Sequence, residues 1–356
     1  MTEWFALTLK GALMMKTEIY KTDQIKEAAA QLKQGNLVSF PTETVYGLGA
    51  DATNVEAVKQ VYAAKGRPSD NPLIVHVADV QTVEKYALPL SEKAQKLIKT
   101  FWPGPLTLIF KLKPGALSSH VTGGLETAAF RMPASEATLS LIREAGVPLV
   151  GPSANTSGKP SPTLAMHVYH DLKGKIAGIL DDGPTKFGVE STVLDMSTDT
   201  PTVLRPGALS IEQLESVIGE VVSNKHHVGL TEVPKAPGMK YKHYAPSAQV
   251  YVVDSPSDFK IALEWAGKQP YKVGLMVTEK LYKGFDLPQN VEFFSLGQDV
   301  QTASHLLFAG LRKFDDEPEI KVILTEAFDA NGIGVAYMNR LNKSAGQTHF
   351  NVNKIN

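Results

Sequence analysis

The chain has 356 residues, 36 Lys+Arg against 37 Asp+Glu, a net charge of -1 and no cysteine. It is longer than the roughly 250–300 residues that one hydrophobic core usually serves, which points to two domains. Its 43% hydrophobic and 21% charged content is that of a globular chain rather than a disordered one, the balanced charge argues against bulk electrostatic binding of nucleic acid, and the absence of cysteine excludes disulfides, thiolate metal sites, iron–sulfur clusters and cysteine nucleophiles.

The opening, mildly apolar from Trp4 to Met15 but interrupted by Lys10, reads as neither a membrane span nor a signal peptide, and Met15 is a second candidate start. The expected location is the cytoplasm, with no membrane contact. Thr22 to Gly35 predicts a helix that Gly35 closes. Leu37 to Phe40 predicts a buried strand, and PTETVYGLGADA a loop after it. A helix from Asn54 to about Lys65, a strand at Leu73–Val77, a helix at Ser91–Phe101, strands at Leu106–Lys111 and Ala128–Met132 and a helix at Ala137–Ala145 come next. Leu149-Val150 then enters the loop GPSANTSGKPSP. Strands at Gly178–Leu180, Val189–Asp195 and Thr202–Leu204 precede a helix at Ser210–Ile218. Several strands follow one another without a helix between them, so the first domain, 17–220, is expected to be α/β with a twisted mixed sheet.

No period survives over 221–246, where Pro234, Pro237, Gly238 and Pro246 break any helix, and this stretch is read as a linker. Its second half, APGMKYKHYAP, interleaves Lys240, Lys242 and His243 with Tyr241 and Tyr244, unlike a flexible Gly/Ser spacer. It suits either a rigid connector or a cover for a site. Elements at Gln249–Val253, Ser255–Lys268, Lys272–Val277, Thr302–Phe314 and Lys321–Thr325 alternate strand and helix, which predicts a smaller, Rossmann-like parallel α/β domain over 247–356.

The sequence holds no Walker-type loop, no GxGxxG after a strand, no HExxH and no GxSxG elbow. The nine histidines are scattered, with only His226 and His227 adjacent, so no protein-caged metal is expected. Polar residues gather instead after strands: Thr42-Glu43-Thr44, Lys65 to Asn71 with His76, Thr127 with Arg131, Ser153 to Ser161, Gly188 to Thr192, and Arg205. Singly, each has an ordinary reading. Lys65 and Arg67 suit a basic helix end, His76 a core histidine, Ser153 and Asn155 a turn, Arg205 a surface position, and Glu190, Asp181 and Asp182 solvated carboxylates. Together they suit a polyanion beside a small zwitterion.

PTETVYGLGADA, KGRPSDNPLIVH, FWPGPLTL, FRMP, GPSANTSGKPSPT, GVESTVLD and LRPG occur in this order. With the trailing APGMKYKHYAP and the small α/β domain, they resemble the YrdC-type threonylcarbamoyl-AMP synthases in their long, two-domain form, over about residues 17–356. That resemblance implies condensation of L-threonine, bicarbonate or carbon dioxide, and ATP into threonylcarbamoyl-adenylate and pyrophosphate. The product would pass to a machinery that modifies the adenosine beside the transfer-RNA anticodon. It implies Lys65 and Arg67 as catalytic residues. The nucleotide would meet Arg67, Asn71, Thr127, Ser153, Asn155, Ser161, Arg205 and Tyr244, with Mg²⁺ held mainly by its phosphates. Threonine would meet Thr44, His76, Arg131, Gly151 through its backbone, and Ser191. The alternatives are a non-catalytic module for double-stranded RNA, which the neutral charge opposes, and a generic amino-acid adenylating enzyme, which would not require bicarbonate. Carbamoyl transfer in hydrogenase maturation would bring cysteine-rich zinc modules, which this chain lacks.

Overall fold

The computed structural model describes residues 15–69, 71–223, 234–236 and 243–352. The opening segment up to Met14, Asp70, the His226–His227 pair, and Pro237, Gly238, Lys240, Tyr241 and Lys242 of the linker lie outside the described residues.

Strand β1 (Glu18–Tyr20) leads through a single 3₁₀ turn into α1 (Ile25–Lys33), which buries Ala28, Ala29 and Leu32. After β2 (Val38–Phe40) the chain forms β3 (Gly47–Asp51) inside the stretch expected to be a loop. Gly47 and Gly49 lie in that stretch. They are strand residues because Phe40 lies across them: a Cβ on Gly47 would sit 2.8 Å from its ring, and one on Gly49 2.6 Å from the Val38 carbonyl oxygen. Helix α2 (Val55–Lys65) starts at Asn54, whose side chain accepts from the Glu56 and Ala57 amides, and ends at Gly66 with φ +62°.

Then come β4 (Ile74–His76), α3 (Val80–Tyr86), α4 (Glu92–Phe101), β5 (Leu106–Lys111), a short α5 (Ser119–Thr122), β6 (Thr127–Arg131), α6 (Glu136–Ala145) and β7 (Leu149–Val150). They are followed by α7 (Ala165–Leu172), β8 (Gly178–Leu180), β9 (Thr192–Asp195), β10 (Thr202–Arg205), α8 (Ile211–Ile218) and β11 (Val222–Ser223). Strand β9 begins three residues later than the sequence suggested, and β11 extends the sheet into the stretch read as linker.

These strands make one 11-stranded mixed sheet in the order β1-β8-β2-β3-β7-β4-β6-β5-β9-β10-β11. Its central strands alternate between two faces, as the period of two demands. Val75, Leu108, Ala128, Phe130 and Leu194 enter the main core. Ile74, Ile109, Ala129 and Val193 form a small apolar patch on the other face, covered by Ala236 of the linker.

The second sheet is wholly parallel, in the order β12 (Gln249–Val253), β15 (Ile320–Glu326), β13 (Lys272–Val277), β14 (Val291–Ser295). Helices α9 (Phe259–Ala266), α10 (Glu279–Tyr282), α11 (Val300–Asp315) and α12 (Gly334–Ser344) flank it. Clusters around Phe259 and Leu275 on one side and around Phe308 and Tyr337 on the other leave both sheet faces covered, as a parallel sheet requires. The mixed sheet followed by a smaller parallel one is the architecture expected from sequence. No described helix is long and apolar enough to cross a membrane.

The units meet through α11 and α12. Arg312 binds both Asp171 oxygens at 3.0 Å and donates to the Pro160 carbonyl at 2.6 Å, and Lys159 pairs with Asp315 at 2.7 Å. At Gly188, with φ +71°, a Cβ would lie 2.3 Å from the His305 carbonyl oxygen, so only glycine lets this loop touch α11.

Candidate active site

The polar counterpart of that apolar patch is a cavity lined by Thr44, Arg67, His76, Arg131, Gly151, Ser153, Asn155, Glu190, Ser191, Arg205, His243 and Tyr244. Backbone register explains the convergence. Parallel pairing of β4 with β6 sets His76 opposite Arg131. The chain after β7 bonds back to the start of β3 and the residue before it, Leu48 N–H to the Pro152 carbonyl and Ala154 N–H to the Tyr46 carbonyl, which brings the Ser153 loop beside Thr44. A register shift between Val203 and Arg205 on β10 marks a bulge. Bulges re-aim side chains, and Arg205 turns to Ser191, donating through Nη2 to its carbonyl at 2.9 Å and its hydroxyl at 3.1 Å.

Arg131 is 3% exposed and held from three sides. Nη1 donates to Thr44 Oγ1 at 2.9 Å, Nε to the Gly104 carbonyl at 3.3 Å, and Nη2 stands 2.7 Å from Glu43 Oε1 in a buried ion pair. Glu43 in turn accepts from the Ala134 amide at 3.1 Å. Glu43 therefore aims the guanidinium, a positioning part that sequence had grouped with Thr42 and Thr44 without a role. Thr44 Oγ1 also shares a 2.8 Å bond with Thr42, and Ser191 Oγ one of 2.7 Å with Thr107.

His76 is buried, and its Nδ1 has no hydrogen-bond partner among the described residues. Burial, then Arg131, pushes its pKa down to about 3, so the ring is neutral at pH 7 and its chemistry here is hydrogen bonding. Gly151 lies flat against it: a Cβ would meet His76 Nδ1 at 2.5 Å and the Phe40 ring at 2.6 Å. Its amide donates to Ile74, which leaves its carbonyl as the backbone group on offer.

Lys65 stands one layer back from the cavity wall. Its Nζ donates to the Ser153 carbonyl and, at 2.6 Å, to that of Asn155, and burial, with Arg67 nearby, holds its pKa well below the ordinary lysine value. In this arrangement it pins the loop whose Ser153 hydroxyl donates to Asn155 Oδ1 at 2.5 Å. Asn71 is wholly buried, with neither end of its amide partnered among the described residues. Ser161 reaches the cavity only through Glu190, donating to Oε1 at 2.7 Å. Thr127 is not brought in: at the far end of β6 from Arg131, it lines a separate hollow with Lys111, Leu117, Thr198 and Lys235.

Glu190 reverses the sequence reading of a solvated carboxylate. It is buried, and its second oxygen accepts from Nε of Arg340 on α12 at 2.6 Å. Burial alone would raise its pKa, but Arg340, Arg205 and the Ser161 hydroxyl outweigh that and hold it at about 2. Tyr244, in a left-handed conformation at φ +65°, packs its ring 5.1 Å from that of Phe308 at a 31° tilt and lies 5.6 Å from the Arg340 guanidinium. Burial, then Glu190, raises its phenol to about 12.

The structure is similar to that of Pyrococcus abyssi Sua5 complexed with L-threonine, with a TM-score of 0.87 and 43% identity over 94% of this chain and 100% of that one. A family model described as "Telomere recombination" matches residues 30–207, and one described as "Threonylcarbamoyl-AMP synthase, C-terminal domain" matches 209–346. The threonylcarbamoyl-AMP synthase of Bacillus subtilis (strain 168) is 50% identical over 91% of this chain and 93% of its own length. The chain belongs to the threonylcarbamoyl-AMP synthase family. A second relative of that name, from Pyrococcus abyssi, is 46% identical over 91% of this chain and 94% of its own. Membership gives the cavity its context, and its geometry can be read against the family's chemistry.

Proposed function

We propose that this chain is a nucleotidyltransferase that joins L-threonine, bicarbonate or carbon dioxide, and ATP into threonylcarbamoyl-AMP, releasing pyrophosphate. Its product then serves, through a separate transfer machinery, the modification of the adenosine beside the anticodon of transfer RNA, in the cytoplasm. The observation that carries the reading is the meeting of two unlike polar sets in one hollow: Arg131 with Thr44, His76 and Ser191, and Arg67 and Arg205 with Ser153 and Asn155. The first suits an amino acid with a hydroxyl, the second a polyphosphate.

In this reading Arg131 takes the threonine carboxylate, while Thr44, His76 and Ser191 bond its hydroxyl. The threonine nitrogen, as the free amine, forms a bond to the carbon of carbon dioxide while an electron pair moves onto a carboxyl oxygen, and its proton passes to solvent. A carbamate oxygen then bonds to the α-phosphorus as the bond to the β-phosphate bridge breaks, and the electron pair leaves with pyrophosphate. His76 and His243, both held at about 3, are poor bases at pH 7. The protein's part is positioning and charge stabilisation. Lys65 contributes by fixing the Ser153–Asn155 loop, and Arg67 and Arg205 by facing the phosphates.

The cavity has a volume of about 60 Å³. A water occupies about 10–15 Å³ on that measure, so the hollow holds a few waters or a small amino acid. A nucleotide needs more room, which it gains by displacing His243 of the linker from the cavity wall. Glu190 is the carboxylate on the wall, and Arg340 and Ser161 occupy its oxygens. The donor set therefore fits Mg²⁺ as an ion borne by the ATP phosphates, where it would neutralise charge on the leaving group.

Omitting threonine, ATP and bicarbonate in turn from a pyrophosphate-release assay tests the proposal. Release should require all three; release without bicarbonate, or salt-dependent RNA binding with no release at all, would overturn it.

A further inference from the structure

Arg340 belongs to the second domain, yet it bonds Glu190 and Pro206 of the first. It is 0% exposed and heads the largest fully buried side chains among the described residues. A buried guanidinium is unfavourable unless its donors are matched, and here they are. Nε donates to Glu190 at 2.6 Å, Nη2 to the Pro206 carbonyl at 2.9 Å, and Nη1 to Asn339 Oδ1 at 2.7 Å, while the group faces the Tyr244 ring.

Apart from Asn339 on α12 itself, each contact leads to a different segment of the site. Glu190 holds Ser161 of the Ser153–Ser161 loop, Pro206 follows Arg205, and Tyr244 comes from the linker. One turn further along α12, half-buried Lys343 has a pKa lowered to about 8 by burial and by Arg340 and Arg205, so the helix presents a second cation on the same side. Among the described residues Thr44, His76, Arg131 and Gly151 have no bond to α12, whereas Ser191 is held by Arg205 as well as by Thr107. The former are fixed within the first domain, by Glu43, Gly104 and Ile74.

We infer that Arg340 is a positioning residue for the nucleotide half of the site: acting through Glu190, it sets Ser161, Arg205 and Tyr244, and it leaves Arg131, Thr44 and His76 of the threonine half as they are. This rests on the function proposed above.

The test uses the full chain and steady-state pyrophosphate release with ATP or threonine varied. An inactive wild-type chain would sink the proposed function itself, whatever Arg340 does. Given an active wild type, Arg340→Ala should raise the KM for ATP at least about tenfold, because it leaves Glu190 buried without its partner. The KM for threonine should change less than about threefold. Arg340→Lys keeps the charge but not the fork, and should recover part of the ATP affinity.

The neutral pair Arg340→Gln with Glu190→Gln avoids a lone buried charge, so it keeps the inference testable if Arg340→Ala does not fold. It should lose no more than Glu190→Gln alone, which strands the Arg340 charge, as expected of two residues acting as one unit. Threonine binding without ATP, by calorimetry, shows that each variant retains its first domain. Equal rises in both KM values, unchanged kinetics in Arg340→Ala, or additive losses in the pair would each overturn the inference.

Discussion

The two sheets of this molecule handle buried polarity in opposite ways. The parallel sheet is covered on both faces by apolar side chains such as Val252, Phe259, Leu275, Phe308 and Leu324, the arrangement of a scaffold, with the buried Thr325 hydroxyl as its exception. The mixed sheet spends one face on a core and loads the other with Thr107, His76, Arg131 and Ser191, buried and only partly satisfied. Buried polar groups without partners are unfavourable, and they collect here where a substrate would complete them. Stability and chemistry are thus assigned to different faces, with α12 as the point at which the scaffold reaches into the chemistry.

The largest expected effect tests the polar face. Arg131→Ala should lower kcat/KM for threonine by about 10²–10³-fold and, by stranding Glu43, destabilise the fold by roughly 3–5 kcal/mol. Steady-state kinetics and urea denaturation measure the two, and more than a tenth of wild-type activity would remove Arg131 from its role. The complementary change is Leu324→Ala, wholly buried in the second sheet on the side packed by Phe259. It should destabilise by about 2–5 kcal/mol while leaving turnover of the folded protein within about threefold. A collapse in turnover to match Arg131→Ala would erase the distinction between the sheets.

A subtler probe changes the substrate. With Thr44, His76 and Ser191 placed to bond a hydroxyl, 2-aminobutyrate should be used at least about 10²-fold less well than threonine, because the missing hydroxyl leaves those groups unpaired. Serine should fall between them. Comparable turnover on 2-aminobutyrate in the pyrophosphate assay would refute the pocket assignment.

The smallest effect is on pH. His76 and His243 are held at about 3, against about 6.5 for a free imidazole, because burial disfavours their charged forms. Between those values the unfolded chain binds more protons than the folded one, so stability is full above pH ~6.5 and declines as pH falls toward ~3. Each group adds at most about 1.4 kcal/mol per pH unit. Glu190, held at about 2, adds its own loss below pH ~4.5, its unfolded value. Urea midpoints should therefore begin to fall near pH 6.5, with a shallower slope in His76→Gln; a flat profile from 6.5 to 4.5 would contradict the burial of these rings.

Much of this was legible in the sequence where local physics decides the outcome. Asn54 and Gly66 bracket α2 with their own capping chemistry, and the apolar runs of β5 and β13 appear at the predicted positions. What stayed hidden depends on neighbours distant in the chain. Strand β3 was masked by glycines whose reason is the Phe40 ring. Helix α12 escaped notice because Ile333 at its start offers no side-chain cap. With α12 unseen, the Arg340–Glu190 pair, 150 residues apart in sequence, left no local trace, and Glu190 read as a surface acid. The cavity residues were named from clusters and resemblance; that His76 and Arg131, each inside a predicted strand, stand opposite each other follows only from strand register.

A crystal structure with threonine and a non-hydrolysable ATP analogue bound together tests the central claim most directly. The account predicts the threonine carboxylate on Arg131 and its hydroxyl near Ser191. The α-phosphate should lie between Arg67 and Arg205, with room for one carboxyl group between nitrogen and phosphorus and reacting atoms about 3–3.5 Å apart. A nucleotide seated in the hollow beside Thr127, its α-phosphate out of reach of the threonine nitrogen, would contradict it.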